Sequence, residues 1–343
     1  MEQNTKNLYL FPVTALNETE INPYMNLLCG ALKKNYHVVN AGRPQQSGII
    51  DILKYIRRID IVYLNWIEEI PRRHMGVLQS IFFLVLLQVI GFSPVKVVWT
   101  LHNKRSHWKR GGFLSSIIYR QMLRRSDLIV THAKEGLDSV GERVHSAFIH
   151  HPVRPIDYGD PPGGLPGFDI IIWGSIAPYK GIDAFIEFLD HRGVLGDYRI
   201  LIAGKITSEE LAEKFRKWTA RGENLVVLDK FVPEPEIMSF IRRSRLVVFT
   251  YHSASVLSSG ALMDSLSQYA VIIGPHTGAF KDLSELGLID TFEDYPQLLQ
   301  IIDKHLKGGT GSNARKARIA AFIQENSWEN FAVQIDRLMK EFL

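Results

Sequence analysis

Acidic residues are missing from one long stretch of this chain. Between Ile70 and Ser126 there are ten basic residues (Arg72, Arg73, Lys96, Lys104, Arg105, Lys109, Arg110, Arg120, Arg124 and Arg125) and no Asp or Glu. Residues 1–160 carry +7, the whole chain +4, and the remainder therefore −3. A field of one sign favours an anionic ligand or surface. An anionic leaflet attracts each nearby Lys or Arg by roughly 1 kcal/mol, so half of this group is enough to hold a protein peripherally. Trp108, Phe113 and Tyr119 interleave the charges, which favours an anionic membrane surface over a merely solvated face. No helix-turn-helix, zinc-finger or RNA-binding sheet motif accompanies them, so nucleic acid is not an expected partner.

Other absences narrow the field further. A single cysteine, Cys29, excludes an internal disulfide, and no Cys or His spacing has the form of a zinc site. A reducing cytoplasm is the expected compartment. The opening MEQNTKNLYLF lacks the basic start and longer apolar core of a secretory signal. The most apolar run, Ile81 to Phe92, is broken by Gln88 and falls short of the ~20 residues a bilayer crossing needs. It is expected to form a buried helix packed on a sheet. No Asp-x-Asp cluster is present, so no metal cofactor is called for.

What remains, 343 residues with 46% hydrophobic and 22% charged content, suits two folded domains of ordinary size. From His151 to Gly167 the chain holds five prolines and four glycines, too many for a helix or central strand. This seam sets the expected division: residues 1–153 as one domain, 154–167 as linker and 168–326 as a second domain. Strands are predicted at Leu8 to Pro12, His37 to Asn40, Ile61 to Asn65, Lys96 to Leu101, Leu128 to Thr131 and Ser146 to Ile149. Beyond the seam they are predicted at Asp169 to Trp173, Tyr198 to Ala203, Leu225 to Leu228, Leu246 to Phe249 and Val271 to Gly274. Strands separated by helix-length segments require parallel crossovers, giving two doubly wound α/β domains facing across a cleft. Ser327 to Leu343 reads as a terminal helix with Ser327 as its N-cap.

Two segments carry a resemblance. Ile171 to Phe185, IIWGSIAPYKGIDAF, and Phe249 to Asp282, FTYHSASVLSSGALMDSLSQYAVIIGPHTGAFKD, resemble the donor-binding half of GT-B glycosyltransferases, family 4 and its relatives among them. The resemblance implies that Gly174 turns the backbone after the strand and that Lys180 contacts the donor diphosphate. Where that family has an arginine, five residues before the lysine, this chain has Ser175. Ser258 or Ser259 is expected to cap a helix starting near Gly260, whose free N–H groups form a phosphate site. Of the family's two glutamates eight positions apart, the second corresponds to Asp264, implied to bind the ribose, and the first to Val256. His276, Thr277 and Gly278 should lie at the next strand end. In the GT-B fold the last helix crosses back to the first domain, an implication for residues 327–343.

In the first half, His102 ends a predicted strand where relatives place a histidine facing the transferred sugar. The opening FPVTALNETEINPYM resembles the first loop of transferases acting on lipid-linked acceptors, and its Glu18 and Glu20 are the only carboxylates there. His102 and Glu20 are thus the candidate catalytic residues. The implied reaction is transfer of a hexosyl group from a UDP- or GDP-linked sugar to a saccharide, lipid-linked in cell-surface polysaccharide or glycolipid synthesis. Retention fits the family, whereas inversion would need a base such as His102 or Glu20. A nucleotide-sugar epimerase of the same fold and a non-catalytic sugar-nucleotide-binding subunit are the alternatives.

Overall fold

The computed structural model describes residues 5–13, 23–103, 112–140, 144–155, 167–222, 224–251, 257–308 and 313–343. Glu18, Glu20, Asn22, the Lys104 to Arg110 run with His107 and Trp108, linker residues 156–166 and Val256 lie outside them. The chain forms two compact units. One comprises Met1–Pro152 with Ser255–Ser258 and Asn326–Leu343; the other comprises Val153–Ala254 with Ser259–Glu325.

The first unit runs β1 (Asn7–Phe11), α1 (Tyr24–Leu32), β2 (His37–Val38), β3 (Ile61–Asn65), α2 (Gly76–Ile90), β4 (Lys96–Leu101), α3 (Gly112–Arg125), β5 (Leu128–Thr131) and β6 (His145–Phe148). Its sheet has the order β2-β1-β3-β4-β5-β6, with every described pairing parallel. Both faces are covered, so the strands are apolar on both sides, as a parallel sheet demands. Tyr9, Phe11, Val62, Leu64, Val97 and Trp99 point to one face and pack with Phe83, Leu86, Leu87 and Ile118 of α2 and α3. Leu8, Leu10, Ile61, Tyr63, Val98 and Val130 point to the other and meet Leu28 of α1. Trp328, Phe331, Ile335 and Met339 of the last helix join that same cluster. Each fully buried aliphatic or aromatic side chain contributes ~1.5–3 kcal/mol.

The second unit runs β7 (Phe168–Trp173), α4 (Ile182–His191), β8 (Ile200–Ala203), α5 (Glu209–Thr219), β9 (Leu225–Leu228), α6 (Glu234–Arg243), β10 (Ser244–Val248), α7 (Gly260–Ser267), β11 (Ile272–Pro275), α8 (Gly278–Glu285), β12 (Asp290–Phe292), α9 (Tyr295–Gly308) and α10 (Asn313–Glu325). The order β12-β11-β10-β7-β8-β9 is parallel throughout its described pairings. Helix α11 (Trp328–Phe342) then belongs to the first unit. Ser327 caps it, its Oγ accepting from Asn330 N at 3.2 Å.

The apolar run of α2 departs from expectation. Only one side is buried, through Phe83, Leu86, Leu87 and Ile90, while Val77, Leu78, Ile81, Val85 and Val89 are exposed. A helix that is apolar all round cannot turn both faces to a single-layer core, and here nothing among the described residues covers the outer one.

Candidate functional site

In a doubly wound sheet the strand order reverses at one point, and the carboxyl ends on either side of it open a crevice. In the second unit that point lies between β7 and β10. Gly174 follows β7 with φ of +92°, a backbone state that glycine adopts without strain. A Cβ there would stand 2.9 Å from Lys180 Nζ, so the ammonium lies against the turn. Gly204, after β8, approaches so closely that a Cβ on it would strike the Gly174 carbonyl. The two strand ends are in backbone contact, with the Lys180 ammonium against the Gly174 turn.

Lys180 itself is 6% exposed. Thr250 Oγ1, just beyond β10, donates to the Lys180 carbonyl at 2.8 Å, which ties the β7 loop to the β10 loop across the reversal. Lys180 Nζ stands 5.6 Å from the centroid of the Tyr251 ring, a cation–π arrangement. No carboxylate among the described residues forms an ion pair with it, and burial pushes its pKa down to about 8. Such a group gains from an incoming anion.

Helix α7 starts beside it. Ser259 occupies the N-cap in an extended conformation but makes no side-chain cap hydrogen bond; its Oγ meets Tyr251 Oη at 3.2 Å instead. Ser258 does not cap the helix either. It groups with the first unit, and its Oγ is buried without a hydrogen-bond partner among the described residues. The expected capping is thus replaced by an open helix start, the arrangement that binds phosphate oxygens.

One turn along α7 is Asp264, with a fifth of its side chain exposed. Burial of the rest raises its pKa to about 7, against the opposing pull of Arg154 and reinforced by Glu234. Arg154 Nε lies 3.9 Å from Asp264 Oδ1, and its Nη2 pairs with Glu234 Oε2. A carboxylate so placed can accept hydrogen bonds from a pair of hydroxyls. Ser175 is exposed and offers no cation. His276, Thr277 and Gly278 lie at the β11 end, where His276 Nδ1 meets Thr291 Oγ1 at 2.9 Å and its backbone N–H donates to Phe292 O. The His276 ring is thus turned toward β12. Gly174, Lys180 and Ser259 form one cluster, Asp264 neighbours it on α7, and His276 stands apart.

The first unit reverses between β1 and β3. Asn65, ending β3, is fully buried; its Nδ2 points at Phe11 O at 3.5 Å, which leaves Oδ1 as acceptor. His102 Nε2, 3.0 Å away, is therefore the protonated nitrogen and Nδ1 the acceptor, with no hydrogen-bond partner among the described residues. The same reasoning gives His132 an Nδ1–H donating to Ile149 O and an Nε2 accepting from Tyr24 Oη at 2.8 Å. His151 Nδ1 donates to Pro152 O. Trp66 stacks on His102 with centroids 4.1 Å apart. Burial holds His102 well below the usual imidazole range, His132 at about 3 and His151 at about 4, so the three rings are neutral at pH 7. Neutral His102 can accept a sugar hydroxyl's hydrogen bond at Nδ1, while its burial disfavours taking up a proton.

Two groups escaped the sequence reading. Glu68, after β3, is 1% exposed, and both its carboxylate oxygens are buried; burial raises its pKa to about 8. A pair of glutamates inside the apolar NWIEEI run was the available signal. Arg154 lay in the proline-rich seam and gave none.

No protein-family model and no curated protein matches the sequence. Solved structures do. The structure of HepE from Anabaena in complex with UDP and glucose is similar at 12% identity with a TM-score of 0.66, covering 98% of this chain and 99% of that one. The trehalose-phosphate synthase (UDP-forming) of Burkholderia vietnamiensis is similar at 12% identity and 0.70, covering 99% of each. A trehalose-6-phosphate synthase analysed for glycosyl transfer with retention is similar at 12% identity and 0.63, covering 98% and 94%. At such identities the likeness is one of fold, and it extends to GT-B as a whole rather than to family 4 in particular. With two Rossmann-like units built on parallel six-stranded sheets, the chain has the GT-B fold.

Proposed function

We propose that this protein is a glycosyltransferase that moves a hexosyl group from a nucleotide sugar to a saccharide acceptor. Lys180 carries the reading: a buried ammonium at the reversal of the second sheet, paired with no carboxylate among the described residues, beside an uncapped helix start. As the glycosidic bond of the donor breaks, negative charge accumulates on the departing diphosphate. Lys180 and the first N–H groups of α7 stabilise that charge more than the ground state, which is the condition for catalysis. They supply it without a divalent cation, so transfer is proposed to survive chelation by EDTA.

Asp264 binds the ribose hydroxyls in this reading, with Arg154 orienting it. The contact of Gly174 with Gly204 brings bare backbone and the Lys180 ammonium together at the crevice floor. UDP is favoured over GDP because the similar structures of HepE and the trehalose-phosphate synthases are described with UDP or as UDP-forming. Retention is favoured because one similar enzyme is described as transferring with retention. The first unit takes the acceptor, with neutral His102 holding a sugar hydroxyl through Nδ1. A lipid-linked acceptor, a place in surface polysaccharide or glycolipid synthesis and an anionic membrane as platform, on the cytoplasmic side, are supported by the acid-free stretch from Ile70 to Ser126.

The test is a thermal-shift screen of nucleoside diphosphate sugars followed by assay with and without saccharide acceptors. A ligand at 100 times its Kd raises stability by ~2.7 kcal/mol, well within detection. Isomerised donor formed without acceptor would point to an epimerase. Binding with neither transfer nor donor hydrolysis would point to a non-catalytic subunit.

A further inference from the structure

Most of the exposed large hydrophobic side chains among the described residues of the first unit lie on or next to the outer face of α2. Val77, Ile81, Val85 and Val89 follow one another at four-residue spacing, so they form a single stripe along the helix. They are 53% to 59% exposed, Leu78 is 49% exposed beside them, and Phe92 just past the helix end is 94% exposed. Buried Phe83, Leu86 and Leu87 on the opposite side fix the helix to the sheet, so the stripe cannot rotate inward. Phe113, 77% exposed, opens α3, the helix that shares this core cluster through Ile118 and Met122.

The rim of this stripe is positive. Arg120, Arg124 and Arg125 of α3 are exposed, and none makes a salt bridge to a carboxylate among the described residues. Arg125 Nη2 donates to Gln88 Oε1 at 2.6 Å, fixing one guanidinium at the border of the α2 stripe. The sequence from Ile70 to Ser126 supplies no negative charge to offset them.

We infer that this face lies in the plane of an anionic lipid surface, with the α2 stripe and Phe92 entering the acyl boundary and the α3 arginines at the headgroups. Fifteen residues of helix reach about 22 Å, short of the ~30 Å hydrocarbon core. Among the described residues no helix is long and apolar enough to cross a membrane. Insertion parallel to the surface is the geometry left to such an element. A second copy of the chain fits less well, because a two-fold contact sets each patch against itself and would bring the arginine rims together. The inference adds a hydrophobic component to the anionic platform of the proposed reaction, and it is tested independently of catalysis.

The experiment is flotation of the full chain with phosphatidylcholine vesicles, with and without phosphatidylglycerol, at low and high salt. Wild type should float with anionic vesicles and keep a measurable bound fraction at high salt, because apolar insertion is not screened. Ile81→Asp with Val85→Asp, both exposed positions, should reduce binding about tenfold or more at either salt while leaving the melting temperature unchanged. Arg120→Gln with Arg124→Gln should lower binding only at low salt and only with phosphatidylglycerol. The inference is overturned if wild type does not float at low salt, if the Asp variant floats equally well, or if wild type is a dimer that the Asp variant converts to monomer. Transfer to a water-soluble acceptor, assayed on the same samples, reports on the proposed enzyme activity separately; it should be equal in wild type and both variants.

Discussion

Lys180 Nζ sits 5.6 Å from the ring centroid of Tyr251, and through the Tyr251 hydroxyl this pair reaches Ser259, the residue just before α7. The aromatic face holds the cation where no carboxylate does among the described residues. An anion arriving at the helix start meets an ammonium already in position.

Replacing that ammonium separates binding from stability. The pKa of Lys180 is lowered from 10.5 to about 8, so its contribution to stability is present above pH 10.5 and lost as pH falls through 8. At pH 7 the buried charge is a net cost to the ligand-free protein. Lys180→Met should therefore raise the ligand-free melting temperature while lowering kcat/KM by a factor corresponding to about 2–4 kcal/mol. Steady-state kinetics beside calorimetry checks both halves; unchanged kcat/KM would remove Lys180 from the site.

Asp264 offers a pH test. With its pKa raised to about 7, the carboxylate protonates as pH drops below neutrality and loses acceptor capacity for ribose hydroxyls. Falling pH charges Lys180 and favours the diphosphate in wild type and variant alike, so the test is their ratio: Asp264→Asn should bind UDP more weakly than wild type at pH 8, and the gap should close by pH 6. Titration calorimetry at the two pH values decides it, and equal affinity of wild type and variant at pH 8 would place the nucleotide elsewhere.

Glu68 predicts an alkaline weakness. A carboxyl whose pKa rises from 4.5 to about 8 on folding contributes stability that is complete below pH 4.5 and lost as pH climbs through 8. Glu68→Gln keeps the shape and removes the titration. Urea unfolding at pH 9 should show the variant more stable than wild type by up to about 5 kcal/mol, with the gap closing toward pH 5.

The histidines predict the opposite limb. His132 and His151 are held at about 3 and about 4 by burial, so the stability they contribute is whole above pH 6.5 and drains away as pH falls toward 4 and then 3. The melting temperature should decline through that window. His151→Asn, which retains a donor for Pro152 O, should make the decline shallower; an unchanged slope would show that other groups govern it.

Most of this architecture was legible because central strands of a parallel sheet are short continuous apolar runs, and Ile61 to Asn65 or Lys96 to Leu101 can hardly be read otherwise. Strand β12 was missed. Its three residues, Asp290, Thr291 and Phe292, sit at the sheet edge and hold a single apolar side chain buried on the core. At the site, Lys180 and Asp264 were singled out by the resemblance of their segments to the donor-binding half of GT-B glycosyltransferases, whereas the Arg154 and Glu234 neighbours of Asp264 are joined to it only by the fold. Ser259 shows a further limit. Its residue type suits capping, yet a tyrosine eight residues earlier takes its hydroxyl, and no local pattern encodes that preference. For α2, composition registered how apolar the helix is without showing that half of it faces outward.

Helix α11 gives the first unit an order of assembly. Trp328, Phe331, Ile335 and Met339 fill the same cluster as Leu8, Leu10 and Tyr63, so strands made early in synthesis keep an open flank until the chain has passed through the whole second unit. The second unit, contiguous but for residues 255–258, can close as it emerges. Along the chain the first unit is thus started before the second and finished after it, and its β1 and β3 side chains lack the cover of α11 for the interval between.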